Sequence, residues 1–261
     1  MTRSAIVGYE AIDCVGMQPV AEPDLGLCDN LKPNRLFGAE RKRFSGPCSC
    51  KVPYFTKGGI TKMDILQQSA LAWKELTEYR YQFVYGYKKN LYPINLTFSF
   101  EDYPHLAGFQ YLKDISIPNY TSAKIIVRIL EGKITFEQIQ KAAQYEEMVK
   151  PRLEALIHLK NSSDNDFNLY SFMSQMYPFI TNIKADYLIT SHIVIDSYVF
   201  IIHTTPEGTA KCDFLCCSAF AKGKRDYETN QRKCALLKKE RIHIESNTTT
   251  ILLNKLNTES S

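Results

Sequence analysis

Long hydrophobic runs are missing from this chain. Its apolar stretches, such as residues 198–202, fall far short of the roughly 20 residues that cross a bilayer as a helix, which argues against an integral membrane protein. The opening MTRSAIVGYEAIDCVG carries Glu10 and Asp13 where a secretory segment needs an unbroken apolar core, so the expectation is a cytoplasmic chain with no membrane partner. On that expectation the sequons at Asn95, Asn119, Asn161 and Asn247 are chance. Also absent are a P-loop, GxGxxG, GxSxG and HExxH, which removes the simplest readings as an NTPase, a dinucleotide enzyme, a serine hydrolase or a zincin. The eight cysteines form no Cys-x2-Cys knuckle. Cys14, Cys28, Cys48 and Cys50 have the spacing x13, x19, x1, a weak zinc pattern, and Cys212, Cys216, Cys217 and Cys234 read as small hydrophobes or reduced thiols. No metal or cofactor is expected.

What is present is an ordinary folded composition. In 261 residues, 44% are hydrophobic, 23% charged and 12% aromatic, which excludes wholesale disorder and fibrous repeats. The net charge is only +4, but it is unevenly placed. Residues 211–241 hold nine Lys or Arg against four Asp or Glu, a local balance of +5, so the remainder is slightly acidic. Such a patch is the electrostatic footprint of a polyanion partner or, more blandly, a solvated basic face.

The pattern divides the chain into an irregular extension over residues 1–60, an α+β body over 61–250 and a tail over 251–261. The extension is rich in Pro and Gly and includes the run Arg41, Lys42, Arg43. Thr61 and Asp64 resemble a capping box opening a helix whose stripe is Met63, Leu66, Ala70, Trp73 and Leu76. YQFVYGY and YPINLTFSF, separated by Lys88, Lys89 and Asn90, read as a hairpin. In EDYPHLAGFQYLKDI, Asp102 is the expected N-cap of a short helix, with His105, Gly108, Phe109 and Leu112 on one face and the imidazole at the core edge. Residues 122–130 predict another helix, ended at Gly132. Thr135 and Gln138 predict a capping box for a longer helix reaching Pro151, and residues 152–160 a last helical stretch before the polar break NSSDND. From Phe167 onward the pattern is strand-like, with hairpin-length connections. The predicted class is therefore α+β, N-terminal helices packed on a C-terminal antiparallel sheet.

The densest polar constellation is Ser218, Lys222, Lys224, Arg225, Tyr227 and Gln231: a hydroxyl, three cations, a phenol and an amide. These groups suit a phosphodiester and the extra negative charge that develops on it as it reacts. A basic group such as His105 beside them would take the proton from a ribose 2′-hydroxyl or give one to the leaving 5′-oxygen. The bland alternative is a hairpin loop with solvated lysines and Tyr227 packed on the sheet. His158, His192, His203 and His243 share no spacing and read as structural.

FEDYPHLAGFQYLKDI, the helices containing ILEGKITFEQIQKA, and CSAFAKGKRDYETNQRKCALLKKERI resemble, in that order over residues 62–245, a phage-associated branch of the barnase, EndoU, colicin and RelE-like nucleases, its fourth phage branch. The resemblance implies a barnase/RelE-like layout and metal-independent cleavage of RNA through a 2′,3′-cyclic phosphate in phage and bacterial conflict. It implies His105 as general acid or base, Ser218 and Tyr227 acting on phosphate oxygens, and Lys113, Lys222, Lys224, Arg225 and Gln231 on the backbone. The first 60 residues have no counterpart and are candidates for binding a protein partner such as an immunity protein. Two other functions stay open: a non-catalytic anti-defence inhibitor that binds nucleic acid or protein, and a nucleotide-modifying enzyme of the ADP-ribosyltransferase kind, for which no Glu-x-Glu pair is present.

Overall fold

The computed structural model describes residues 63–204 and 212–256. Thr61, Cys14, Cys28, Cys48, Cys50 and the basic run at 41–43 lie outside them. The first helix, α1 (Ile65–Leu76), is capped by Asp64, whose carboxylate accepts the Gln67 N–H at 2.8 Å. Its stripe Leu66, Ala70, Trp73 and Leu76 is fully buried, and Trp73 Nε1 donates to the Ser99 carbonyl at 2.9 Å. The hairpin follows as β1 (Tyr79–Tyr87) and β2 (Asn90–Thr97). Lys88 and Lys89 both have positive φ, the mirror-image turn that matches strand twist.

The helix expected around His105 is broken into short turns: α2 (Tyr103–Leu106) is flanked by single 3-10 turns at Phe100–Asp102 and Phe109–Tyr111. Gly108, at φ +85°, is the reason, because that left-handed residue stops α2. Helix α3 (Ser122–Leu130) has the expected bounds. The Thr135 and Gln138 capping box is present, but α4 (Phe136–Ile139) ends within a turn, and a π turn at Tyr145–Val149 leads into α5 (Lys150–Asp164). That last helix runs through the expected polar break. Ser162 and Ser163 are buried there, and Asp164 accepts from Tyr81 and Arg241, so tertiary partners override local polarity.

The remaining strands are β3 (Asn168–Ser171), β4 (Tyr187–Ser191), β5 (Ser197–His203), β6 (Asp213–Ala221), β7 (Arg232–His243) and β8 (Thr249–Asn254). β3 to β6 pair antiparallel in sequence order, and β7 joins β3. Two further contacts close the ring. β1 pairs antiparallel with β7 from Tyr79 opposite His243, and β2 runs parallel to β6 at Asn95–Thr97.

The result overturns the expected open antiparallel sheet under helices: seven strands form a closed mixed barrel, and β8 is added on β7. β1 and β8 pair with the same residues of β7, so they flank it on opposite edges. Closure was not foreseeable from hairpin spacing, because both closing contacts join strands more than 100 positions apart and alternation carries no record of a distant partner. β8 also takes in residues 251–254, read from sequence as the start of a tail.

Strand alternation produces two apolar clusters. Leu169, Ile189, Val199, Ile201 and Ala219 face a main core shared with α1, α3 and α5. Tyr170, Leu188, Tyr198 and Phe200 face the other way, into a smaller aromatic cluster. Among the described residues no helix is long and apolar enough to cross a membrane.

Candidate functional site

The aromatic cluster anchors the β6–β7 turn. Tyr227, 6% exposed, sits among the rings of Tyr177, Phe179, Tyr198, Phe200 and Phe220 with centroids 5.2–5.6 Å away. Its N–H donates to the Tyr198 hydroxyl at 3.3 Å, and its carbonyl accepts from the Tyr177 hydroxyl at 2.8 Å. Gln231 is buried as well, and its side-chain amide accepts the Met173 N–H at 2.7 Å and donates to the Met173 carbonyl at 3.1 Å. Asp226 shapes the bend, accepting the Thr229 hydroxyl and the Glu228 and Thr229 N–H groups. The Thr229 hydroxyl, more than any other partner, holds its carboxyl down at about 2.

With the turn pinned from beneath, its cations stand outward. Lys222, Lys224 and Arg225 are all exposed. The Lys222 ammonium lies over Tyr198 at 5.7 Å and the Arg225 guanidinium over Phe179 at 5.2 Å. Ser218 is half-buried on β6 opposite Phe200, where the ladder slips by one residue; cross-strand partners share a face, which puts Ser218 on the aromatic side.

A second turn is tied to the first by the Lys222 N–H, which donates to the Asp196 carbonyl at 2.7 Å. Here His192, dismissed in the sequence, is exposed between two carboxylates. Its Nδ1 lies 2.8 Å from Asp196 and its Nε2 3.8 Å from Glu228, whose other oxygen accepts from the buried Tyr170 hydroxyl. Carboxylates in those positions orient the imidazole.

The third group lies where α2 meets α5. His105 is exposed on α2, not at the core edge, because the face of that turn which packs inward is Tyr103, Leu106 and Ala107. Three residues on, the missing side chain of Gly108 leaves room for Arg152: a Cβ there would meet Arg152 Cδ at 3.1 Å. The Arg152 guanidinium donates to the Met148 carbonyl at 2.5 Å and to the Tyr111 hydroxyl at 3.4 Å, and lies over the Tyr111 and Phe220 rings at 4.9 and 5.6 Å. The Tyr227 phenol is within Coulombic reach of it. Lys113, exposed two residues past Tyr111, lines a small pocket with Gln110, Tyr111, Asp114, Ala143 and Gln144.

Arg152 therefore joins the two segments that the sequence singled out: the His105 and Lys113 segment touches it through Gly108 and Tyr111, and the Ser218 to Gln231 segment through Phe220. Among the described residues no carboxylate forms an ion pair with it. Its only sequence signal was position, since Arg152, Leu156, Leu159 and Ser163 follow one helical stripe and a cation heads an otherwise buried face. His192, Asp196 and Glu228 gave none, because Glu228 reaches the histidine only through the sheet register. Among the described residues no group of His, Cys, Asp and Glu side chains is placed to hold a metal ion.

No curated protein and no solved structure matches the chain. A family model described as phage-Barnase-EndoU-ColicinE5/D-RelE like nuclease4 matches residues 65–256, from the first residue of α1 to just past β8. The match takes in α2, Arg152, both turns and all eight strands, and on that extent the chain belongs to the phage-Barnase-EndoU-ColicinE5/D-RelE like nuclease family.

Proposed function

We propose that this protein is an endoribonuclease that cuts RNA by attack of the ribose 2′-hydroxyl, leaving a 2′,3′-cyclic phosphate. The observation that carries the reading is Arg152, a half-buried guanidinium held by neutral partners and lacking a carboxylate among the described residues. A cation taken partly out of water without a counter-charge is a receptor for an anion, and a guanidinium matches the geometry of phosphate. Docked there, the scissile phosphate has Arg152 against the negative charge that grows on its oxygens, and Lys222, Lys224 and Arg225 extend the cationic surface for flanking phosphates. Protein cations supply that charge in this reading, so chelators leave the rate unchanged.

Cleavage also needs one group to accept the 2′-hydroxyl proton and one to return a proton to the leaving 5′-oxygen. His105, on the turn that packs against Arg152, is assigned the first role. His192, whose ring lies between Asp196 and Glu228, is assigned the second. Tyr227 and Ser218 shape the aromatic wall beside the guanidinium, and Lys113 serves the backbone on the α2 side.

The test is a labelled oligoribonucleotide incubated with the full chain in chelator, beside Arg152→Ala, His105→Ala and His192→Ala. Cleavage by the wild type with cyclic phosphate ends is expected. Arg152→Ala should lose at least about tenfold in kcat/KM, the worth of one charge-assisted contact. Tight RNA binding without cleavage would replace this reading with that of a non-catalytic inhibitor.

A further inference from the structure

Closing the barrel leaves one strand with a single neighbour. Among the described strands β8 alone is paired on one side only, by β7. The His243 N–H donates to the Thr248 carbonyl at 3.0 Å, in line with the pairing of Ile242 opposite Thr249 and Arg241 opposite Thr250. Antiparallel alternation then turns the backbone groups of Thr248 and Thr250 toward β7 and those of Thr249 and Ile251 away from it. No described strand covers that outer edge.

Exposed edges are ordinarily blunted by a charge, a proline or a strong local twist. Residues 246–254, SNTTTILLN, contain neither a charged residue nor a proline, and their threonines and isoleucine favour a strand. The register slips once, opposite Lys239 and Glu240, and the extra residue Leu252 packs against the main core. Ile251 is left 60% exposed beside the open edge. An uncharged, strand-forming edge of this kind is a template for another strand.

The charges at its two ends choose the strand. Glu245 precedes β8 and Lys255 follows it, and both are exposed. An antiparallel neighbour of the same sequence sets the acidic end of each strand beside the basic end of the other, whereas a parallel one would set like charges together. With Thr249 of one copy opposite Ile251 of the other, the outward groups of both residues are bonded and the two-fold axis falls on Thr250. That register brings Glu245 of each copy toward Lys255 of the other.

We infer that β8 pairs antiparallel with β8 of a second copy of this chain, making a two-fold dimer. The pairing consumes the open edge of both copies, so assembly stops at two. Glu240, opposite Ile251, lies eight residues along β7 from Arg232, roughly 26 Å at the rise of a strand, so the interface stands away from the β6–β7 turn.

The experiment is sedimentation equilibrium of the full chain from about 1 to 100 μM, the range in which a moderate self-affinity shows. The wild type should pass from monomer to dimer. Ile251→Pro removes an N–H that β7 does not use, so it should keep Tm within about 3 °C of wild type and abolish the dimer. Ile251→Lys, an exchange at an exposed side chain that keeps the backbone intact if proline loosens β8, should abolish it too by placing two like charges on one face of the pair. Glu245→Lys and Lys255→Glu should each weaken the dimer at least about fivefold, since two attractive end contacts become repulsive, and the double exchange should restore it. A monomer throughout the range, a dimer that both Ile251 variants leave intact, or growth beyond two copies would each overturn the inference. A double exchange no better than the single ones would overturn the antiparallel arrangement and leave the edge to a strand of another protein.

Discussion

Tyr227 separates packing from chemistry. Its ring is 6% exposed and surrounded by five aromatic neighbours, and its hydroxyl is one of the groups the sequence nominates for chemistry. Truncation of a buried aromatic ring to alanine costs about 3–5 kcal/mol, since the removed contacts and the cavity both count. The upper part of that range applies here, because strands β5 and β6 and the connection from β3 to β4 meet on this one ring and are too constrained to collapse into its space. At about 2–4 °C per kcal/mol for a domain of this size, a loss of about 4–5 kcal/mol means that Tyr227→Ala should lower Tm by roughly 8–20 °C. Tyr227→Phe keeps every ring contact and should stay within about 3 °C of wild type. Thermal unfolding followed by near-ultraviolet circular dichroism, which reports aromatic packing, measures both. A Tyr227→Ala protein melting within about 3 °C of wild type would refute the claim that this residue anchors the turn. If Tyr227→Phe then cleaves RNA normally, the phenol takes no part in the reaction and Tyr227 is a positioning residue alone.

Gly108→Ala places a Cβ at φ +85°, 3.1 Å from Arg152 Cδ and 3.2 Å from the Met148 carbonyl, so a loss of about 1–3 kcal/mol in urea unfolding and a displaced guanidinium with slower RNA cleavage are expected; wild-type values of both would count against the Arg152 site. Lys239 is 2% exposed and its amine, pushed down to about 8 from 10.5 by burial, donates to the Asn165 carbonyl. Between those values the unfolded chain binds more protons than the folded one, so this contribution to stability grows as pH rises from 8 and is lost as pH falls back through 8. Denaturation midpoints from pH 7 to 10 should rise more steeply for wild type than for Lys239→Met, and parallel profiles would refute the assignment.

Local signals read well in this sequence. Helix α3 and the Lys88, Lys89 turn lie where periodicity and turn chemistry place them, because each is decided by residues a few positions apart. The His105 helix failed at Gly108, where one left-handed residue outweighed an apolar stripe that continued past it. The barrel was illegible for a different reason: β2 and β6 meet in parallel over only three residue pairs, and nothing in either strand names the other. The site was legible by composition and not by role. Lys222, Lys224 and Arg225 are exposed cations as expected, whereas Gln231 and Tyr227 have the right functional groups but use them on Met173 and on packing. A hydroxyl or an amide in a sequence does not say whether it will be spent inside the protein or offered to a ligand.

Barrel closure also sets an order of events in time. Tyr79 pairs with His243, 164 positions later in the chain, and β2 waits for β6, so the β1–β2 hairpin leaves the ribosome with both outer edges unsatisfied, that of β1 for longer. At about 5–20 residues per second, roughly 8–30 s pass before β7 arrives to cover it. During that interval the hairpin, rich in Tyr and Phe, is an open template for another strand, and β7 relieves it only after β6 and the cationic turn have been made. Completion of the sheet and assembly of the candidate site are thus one late event. A chain cut short before β7 should be both aggregation-prone and inert.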